Sequence, residues 1–86
     1  MFYVYILECK DGTYYTGAAK NLEDRINKHK QGKGAKYTAG RTPLKLVYYE
    51  ECENISEAYK REKNIQKMTR EEKKNLIRSI PTKGKS

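Results

Sequence analysis

Phe2-Tyr3-Val4-Tyr5-Ile6-Leu7-Glu8-Cys9-Lys10-Asp11-Gly12-Thr13-Tyr14-Tyr15-Thr16-Gly17-Ala18 is the stretch that decides the fold. Its first six residues are almost continuously apolar and rich in aromatic and β-branched types. That is the mark of a strand covered on both faces. Lys10-Asp11-Gly12 is a turn, and residues 13–18 are the returning strand.

Asn21 then offers an N-cap, because its side chain can accept from a free amide of a first helical turn. The helix it opens is expected over residues 22–31, with Leu22 and Ile26 as its apolar stripe and Gly32 at its end. Residues 33–42 carry Gly34, Lys36, Gly40 and Arg41 without apolar periodicity and read as a basic loop. Residues 44–52 alternate as a third strand, with Leu44, Leu46 and Tyr48 on one face and Lys45, Val47 and Tyr49 on the other. Ser56 is expected to cap a second helix reaching about residue 67. Thr69-Arg70-Glu71-Glu72 is a capping box opening a third, which carries Leu76, Ile77 and Ile80 and ends at Pro81. The order β-β-α-β-α-α implies an α+β fold, a three-stranded, mainly antiparallel sheet flanked by helices. Residues 1–80 form one domain, and residues 81–86 a frayed tail.

The chain has 86 residues, enough for one small core. Its 19 Lys and Arg against 11 Asp and Glu give a net charge of +8, which favours polyanionic partners. No apolar run approaches the roughly 20 residues of a membrane span. No charged leader precedes the first strand, so a cytoplasmic location is expected. Cys9 and Cys52 lack the clustering of a zinc site and are expected as free thiols.

Helix two carries an anomaly. Ala58, Glu62 and Ile65 fall on one stripe at helical spacing, with Met68 at its margin, so a carboxylate sits at the centre of the core-facing side. Such a group needs a partner. Two partners suit it: a cation such as Arg25 or a lysine, or a divalent metal in a cleft. Arg25 and His29 share a face of helix one, and arginine presents a planar fork suited to phosphate. Taken singly, Tyr5 and Tyr15 read as core tyrosines, Arg25 as an exposed helix charge and His29 as a satisfied histidine.

Taken together they resemble the GIY-YIG nuclease domain, in particular its small stand-alone, UPF0213-like members. The likeness covers roughly residues 1–78. The first signature stands as Tyr3-Val4-Tyr5, with Tyr3 in place of its glycine, and the second as Tyr15-Thr16-Gly17. The run from Tyr15 to Arg25 and the stretch Gly32-Lys33-Gly34-Ala35-Lys36-Tyr37-Thr38 have the look of the family.

The resemblance implies a metal-dependent endonuclease that hydrolyses phosphodiester bonds in DNA with weak sequence preference. Single-stranded or branched DNA and RNA are substrates left open. Tyr5 and Tyr15 match the signature tyrosines, one of which helps activate or orient the attacking water. Arg25 matches the arginine on the scissile phosphate. Glu62 matches the ligand of a single Mg²⁺ or Mn²⁺, and His29 falls where other members place His or Tyr. Ala18 stands where some members have a lysine. A free phenol, with pKa near 10, is a poor base at neutral pH, so the identity of the base stays open. Gly17 would let a phosphate approach the sheet, or else mark a strand-end bulge. Lys33, Lys36, Arg41 and Lys67 would contact nucleic-acid phosphates and Tyr37 would stack on a base. The alternative is a nucleic-acid-binding module of the same fold that cuts little or not at all. A third class is an interaction domain without a nucleic-acid role. The small core permits a monomer.

A joint site requires both tyrosines on one face. A two-residue turn at Asp11-Gly12 would pair Glu8 with Tyr15 and separate them. A three-residue loop with Gly12 left-handed in a bulge pairs Cys9 with Thr13, Leu7 with Tyr15 and Tyr5 with Gly17. The second register is expected.

Overall fold

The computed structural model describes residues 1–33, 38 and 40–79. Within them the elements run β1 (Phe2–Glu8), β2 (Tyr14–Ala19), α1 (Leu22–Lys30), β3 (Lys45–Cys52), α2 (Ile55–Gln66) and α3 (Arg70–Arg78). The order is the expected α+β one, and all three strands are antiparallel with β1 in the middle, as β2-β1-β3. Ile80, Pro81 and residues 82–86, and with them the expected helix end and tail, lie outside the described residues.

The apolar run of β1 is covered on both faces. Val4 and Ile6 join a cluster with Tyr48, Cys52, Ala58 and Ile65, beneath α2 and α3. Tyr5 and Leu7 join the other, with Cys9, Ala19 and Leu44, against which Leu22 and Ile26 of α1 pack. One central strand thus feeds two thin cores, which is how a short chain buries enough apolar surface to fold. Both cysteines are buried free thiols. Among the described residues no helix is long and apolar enough to cross a membrane.

The hairpin takes the three-residue loop. The Cys9 amide donates to the Thr13 carbonyl at 2.8 Å, the Gly12 amide to Cys9 at 2.9 Å, and Gly12 has φ +84°. Only a residue without Cβ takes that conformation without strain. The register follows: Tyr5 faces Gly17 and Leu7 faces Tyr15.

Two local expectations are corrected. β3 does not alternate throughout, since Ile6 pairs with Tyr48 while Leu7 pairs with Leu46. Val47 is therefore an extra residue in a bulge, which moves Tyr48 to the face opposite Leu44 and Leu46. The cap of α2 is Asn54, not Ser56; Asn54 is extended and its side chain accepts from the Glu57 amide at 2.9 Å. Asn21 and the Thr69–Glu72 capping box act as expected.

Side-chain bonds then lock the layers together. Arg61 on α2 donates to Glu50 at 2.9 Å, and the Tyr48 hydroxyl donates to the same carboxylate. Arg70 on α3 donates to the Gly12 carbonyl at 2.7 Å and lies over the Tyr14 ring, 5.1 Å from its centre.

Candidate active site

The register puts both signature tyrosines on the α1 face, where three rings gather. Tyr5 and Tyr15 have centroids 6.5 Å apart, and His29 lies 5.8 Å from the first and 5.2 Å from the second. His29 reaches them from the last turn of α1 and is fully buried. Its Nε2 lies 2.9 Å from the Tyr5 hydroxyl, and its Nδ1 lies 2.9 Å from Oγ1 of buried Thr38. Arg25, one turn earlier on α1, acts on the Tyr5 hydroxyl by its charge.

Glu62 comes from the other layer. α2 packs Ala58 and Ile65 into the core, and Glu62 between them is half-buried beside β2. Gln66, four residues on, donates to Glu62 Oε2 at 3.3 Å and to the Thr16 carbonyl at 3.4 Å. One amide thus orients the carboxylate and ties α2 to β2. Among the described residues the ion pairs are Arg41–Asp11 and Arg61–Glu50, so of the two alternatives for Glu62 the ion pair with Arg25 or a lysine is not formed within 4.0 Å. Arg25 still acts on Glu62 through space.

The electrostatics show the groups as one set. Burial pushes the Tyr5 phenol up to about 12, Tyr15 adds to the rise, and Arg25 opposes it. Tyr15 is also raised, first by burial and then by the charge of Glu62. Burial, and then Arg25, hold His29 below its ordinary value, so the ring is neutral at pH 7. Burial raises the carboxyl of Glu62, with Arg25 and Lys63 working against it. Arg25 and Glu62 each act by charge on both phenols.

Access separates the tyrosines. Tyr5 has no solvent exposure, whereas Tyr15 is half-exposed. Gly17 explains the difference in part: a Cβ there would lie 2.5 Å from the Tyr5 hydroxyl oxygen and 2.7 Å from its Cζ. The space left by Gly17 is filled by the Tyr5 phenol, which corrects the expectation of a clearing opposite Tyr5.

The remaining sequence candidates are more scattered. Arg41 pairs with Asp11 at 3.0 Å, and its carbonyl accepts from the Lys10 amide, so it holds the hairpin turn. Lys33 is exposed beyond α1, and Lys67 is the exposed C-cap of α2. Lys36 and Tyr37 lie outside the described residues. A groove of about 520 Å³, lined by Tyr3, Leu22, Ile26, Leu46 and Tyr49, includes none of the five site residues. Tyr3, at the altered signature position, stacks edge-on to Tyr49 with ring centres 6.2 Å apart. Two residues escaped sequence reasoning. Gln66 was findable from its i, i+4 spacing to Glu62. Thr38 had no such signal, because only folding brings it to His29.

A hard divalent ion suits this donor set. Mg²⁺ is commonly held by one or two carboxylates, with water and phosphate completing the shell. Glu62 is a half-buried carboxylate outside both ion pairs. Among the described residues no group of three His, Cys, Asp or Glu gathers to enclose a metal. The geometry fits a hydrated ion shared with substrate rather than a caged structural one.

Known proteins resemble this chain over most of its length. The model of the GIY-YIG catalytic domain matches residues 1–75. UPF0213 protein CPE1444 of Clostridium perfringens is 58% identical, over 92% of this chain and 85% of its own length. UPF0213 protein SSP2268 of Staphylococcus saprophyticus is 53% identical, over 87% of this chain and 92% of its own. The solution structure of UPF0213 protein BH0048 from Bacillus halodurans superposes with a TM-score of 0.58 at 46% identity, covering 90% of this chain and 83% of that one.

Proposed function

Because this chain belongs to the GIY-YIG catalytic-domain family, we propose that it is a metal-dependent endonuclease that hydrolyses phosphodiester bonds in DNA with weak sequence preference. What supports the reading is the gathering of Tyr5, Tyr15 and His29 on one face, with the charges of Arg25 and half-buried Glu62 acting on both phenols.

Hydrolysis needs a positioned water and stabilisation of the charge that grows on the phosphoryl and leaving oxygens. Arg25 binds the scissile phosphate with its planar fork and shares that charge. Glu62, oriented by Gln66, would hold the divalent ion. When bound, Mg²⁺ or Mn²⁺ supplies Lewis-acid stabilisation of the phosphoryl oxygens. Tyr15, the phenol that solvent reaches, orients the attacking water. Tyr5 is too deep to touch it and instead braces Arg25 and His29. Neither phenol is a strong base near neutral pH, since burial raises both. Lys33 and Lys67 neutralise backbone phosphates on either side. Tyr3, at the altered first-signature position, packs edge-on to Tyr49.

The test is a panel of supercoiled plasmid, single strands, branched duplexes and RNA, each with Mg²⁺, Mn²⁺ or chelator. Metal-dependent cutting of at least one substrate is expected, and Glu62→Ala should abolish it while DNA binding persists. Glu62→Ala cutting at the wild-type rate would remove the metal assignment. Binding without cutting across the panel would favour a binding module of this fold.

A further inference from the structure

His29 is bounded on both sides by hydroxyls. Tyr5 lies 2.9 Å from Nε2 and Thr38 lies 2.9 Å from Nδ1, and all three side chains are fully buried. A neutral imidazole has one donor and one acceptor, so this string must have a direction. We propose that Thr38 is a positioning residue of the site, which holds His29 as the Nδ1–H tautomer so that the Tyr5 hydroxyl donates to Nε2 and presents its oxygen to Arg25. The consequence for cutting rests on the nuclease reading above; the tautomer does not.

Two arguments set the direction. A phenol, even one raised by burial as Tyr5 is, is a better proton donor than an aliphatic alcohol, so Tyr5 is the donor to the ring and Thr38 the acceptor from it. The second comes from the far end of the string. The Arg25 charge acts on the Tyr5 hydroxyl, and a guanidinium has donors and no acceptor. That cation favours the phenol with its oxygen toward Arg25 and its single proton toward His29. In the opposite tautomer Nε2–H would face Tyr5 and turn the phenol proton toward the guanidinium, donor against donor. Burial and the nearby Arg25 charge keep the ring from escaping this choice by becoming doubly protonated at neutral pH.

Thr38 thus anchors a string of three side chains whose last hydroxyl feels the charge of the group proposed to grip the phosphate. Outer partners of this kind fix the tautomer and tilt of a histidine, and losing one reduces function by roughly ten- to a hundredfold in metal sites. An effect on the order of tenfold is expected here, because the string stops short of the reacting atoms.

His29 is the sole histidine of the chain, so its ring can be read without ambiguity. A long-range proton–nitrogen correlation spectrum of the whole ¹⁵N-labelled chain at neutral pH should show a protonated Nδ1 and an unprotonated Nε2. Thr38→Val keeps the shape and removes the hydroxyl; it should give averaged ring nitrogens and lower cleavage about tenfold, scaled from outer-partner losses. Thr38→Ser should restore both. A protonated Nε2 in the unaltered chain overturns the proposal without any variant having to fold. An unchanged ring spectrum, or unchanged cleavage, in Thr38→Val also overturns it. If the unaltered chain cuts no substrate, the nuclease reading fails alone and the spectra still decide the tautomer.

Discussion

Replacing Gly17 by alanine separates two reasons for a glycine in β2. If the glycine only clears room for a phosphate, the variant loses activity and keeps its stability. The structure calls for the reverse order of events. The new Cβ would lie 2.5 Å from the Tyr5 oxygen, 2.7 Å from Tyr5 Cζ and 3.1 Å from Tyr15 Cε2. Tyr5 is fully buried and bonded to His29, so its ring has nowhere cheap to go. Overpacking of this kind costs about 1–3 kcal/mol. If Tyr5 swings off His29, a buried bond worth about 1–3 kcal/mol is lost as well. Alanine returns roughly 0.5–1 kcal/mol through lower chain entropy. The net is a loss of about 1–5 kcal/mol, which for a domain of this size lowers Tm by roughly 4 °C at the least and about 20 °C at mid-range. Thermal and urea unfolding followed by circular dichroism, without DNA or metal, measures it. In a Tyr5→Phe background the closest contact is gone, and the Gly17→Ala penalty should shrink by about 1 kcal/mol, a coupling typical of touching residues. A Tm within about 3 °C of the parent, with the His29 ring spectrum unaltered, would refute the close fit of Tyr5 beneath Gly17.

Further outcomes follow from the same contacts. His29 is held below its ordinary pKa of 6.5. Between its folded value and 6.5 the unfolded chain binds more protons, so stability is full above pH 6.5 and falls as pH drops through that window. Urea midpoints from pH 7.5 to 5 should show this fall, and His29→Phe should flatten the slope of that window; an equal slope in the variant would count against it. Arg61→Ala leaves Glu50 with Tyr48 alone. Both groups keep some solvent contact, with side chains 35% and 17% exposed, so a loss of about 1 kcal/mol is expected from chemical denaturation. A neutral result would make the pair ornamental to α2 docking.

Much of the architecture was legible because local signals agreed. The Lys10-Asp11-Gly12 loop, with its one residue able to turn left-handed, specified the register that unites Tyr5 and Tyr15. Asn21 and Thr69 named two helix starts. Glu62 stood out because it interrupts an apolar stripe, and it lies among the site groups. What escaped was non-local or degenerate. Asn54 and Ser56 are both good caps, and sequence alone cannot rank them. The Val47 bulge leaves no mark in a strand pattern, since a one-residue slip changes which face is apolar without changing composition. Gly17 signalled a close approach but not of what. The contact of Thr38 with His29 is between residues nine apart in sequence, and no periodicity reports it.

The bulge has a consequence for β3 as an outer strand. Among the described residues its far side pairs with nothing, and an open ladder of that kind invites strands from other molecules. The extra residue at Val47 kinks the rim and spoils the even spacing of amides that an incoming strand would need, while exposed Lys45 and Glu51 stand near its two ends. The irregularity that repositions Tyr48 inward therefore doubles as a guard against self-stacking at high concentration.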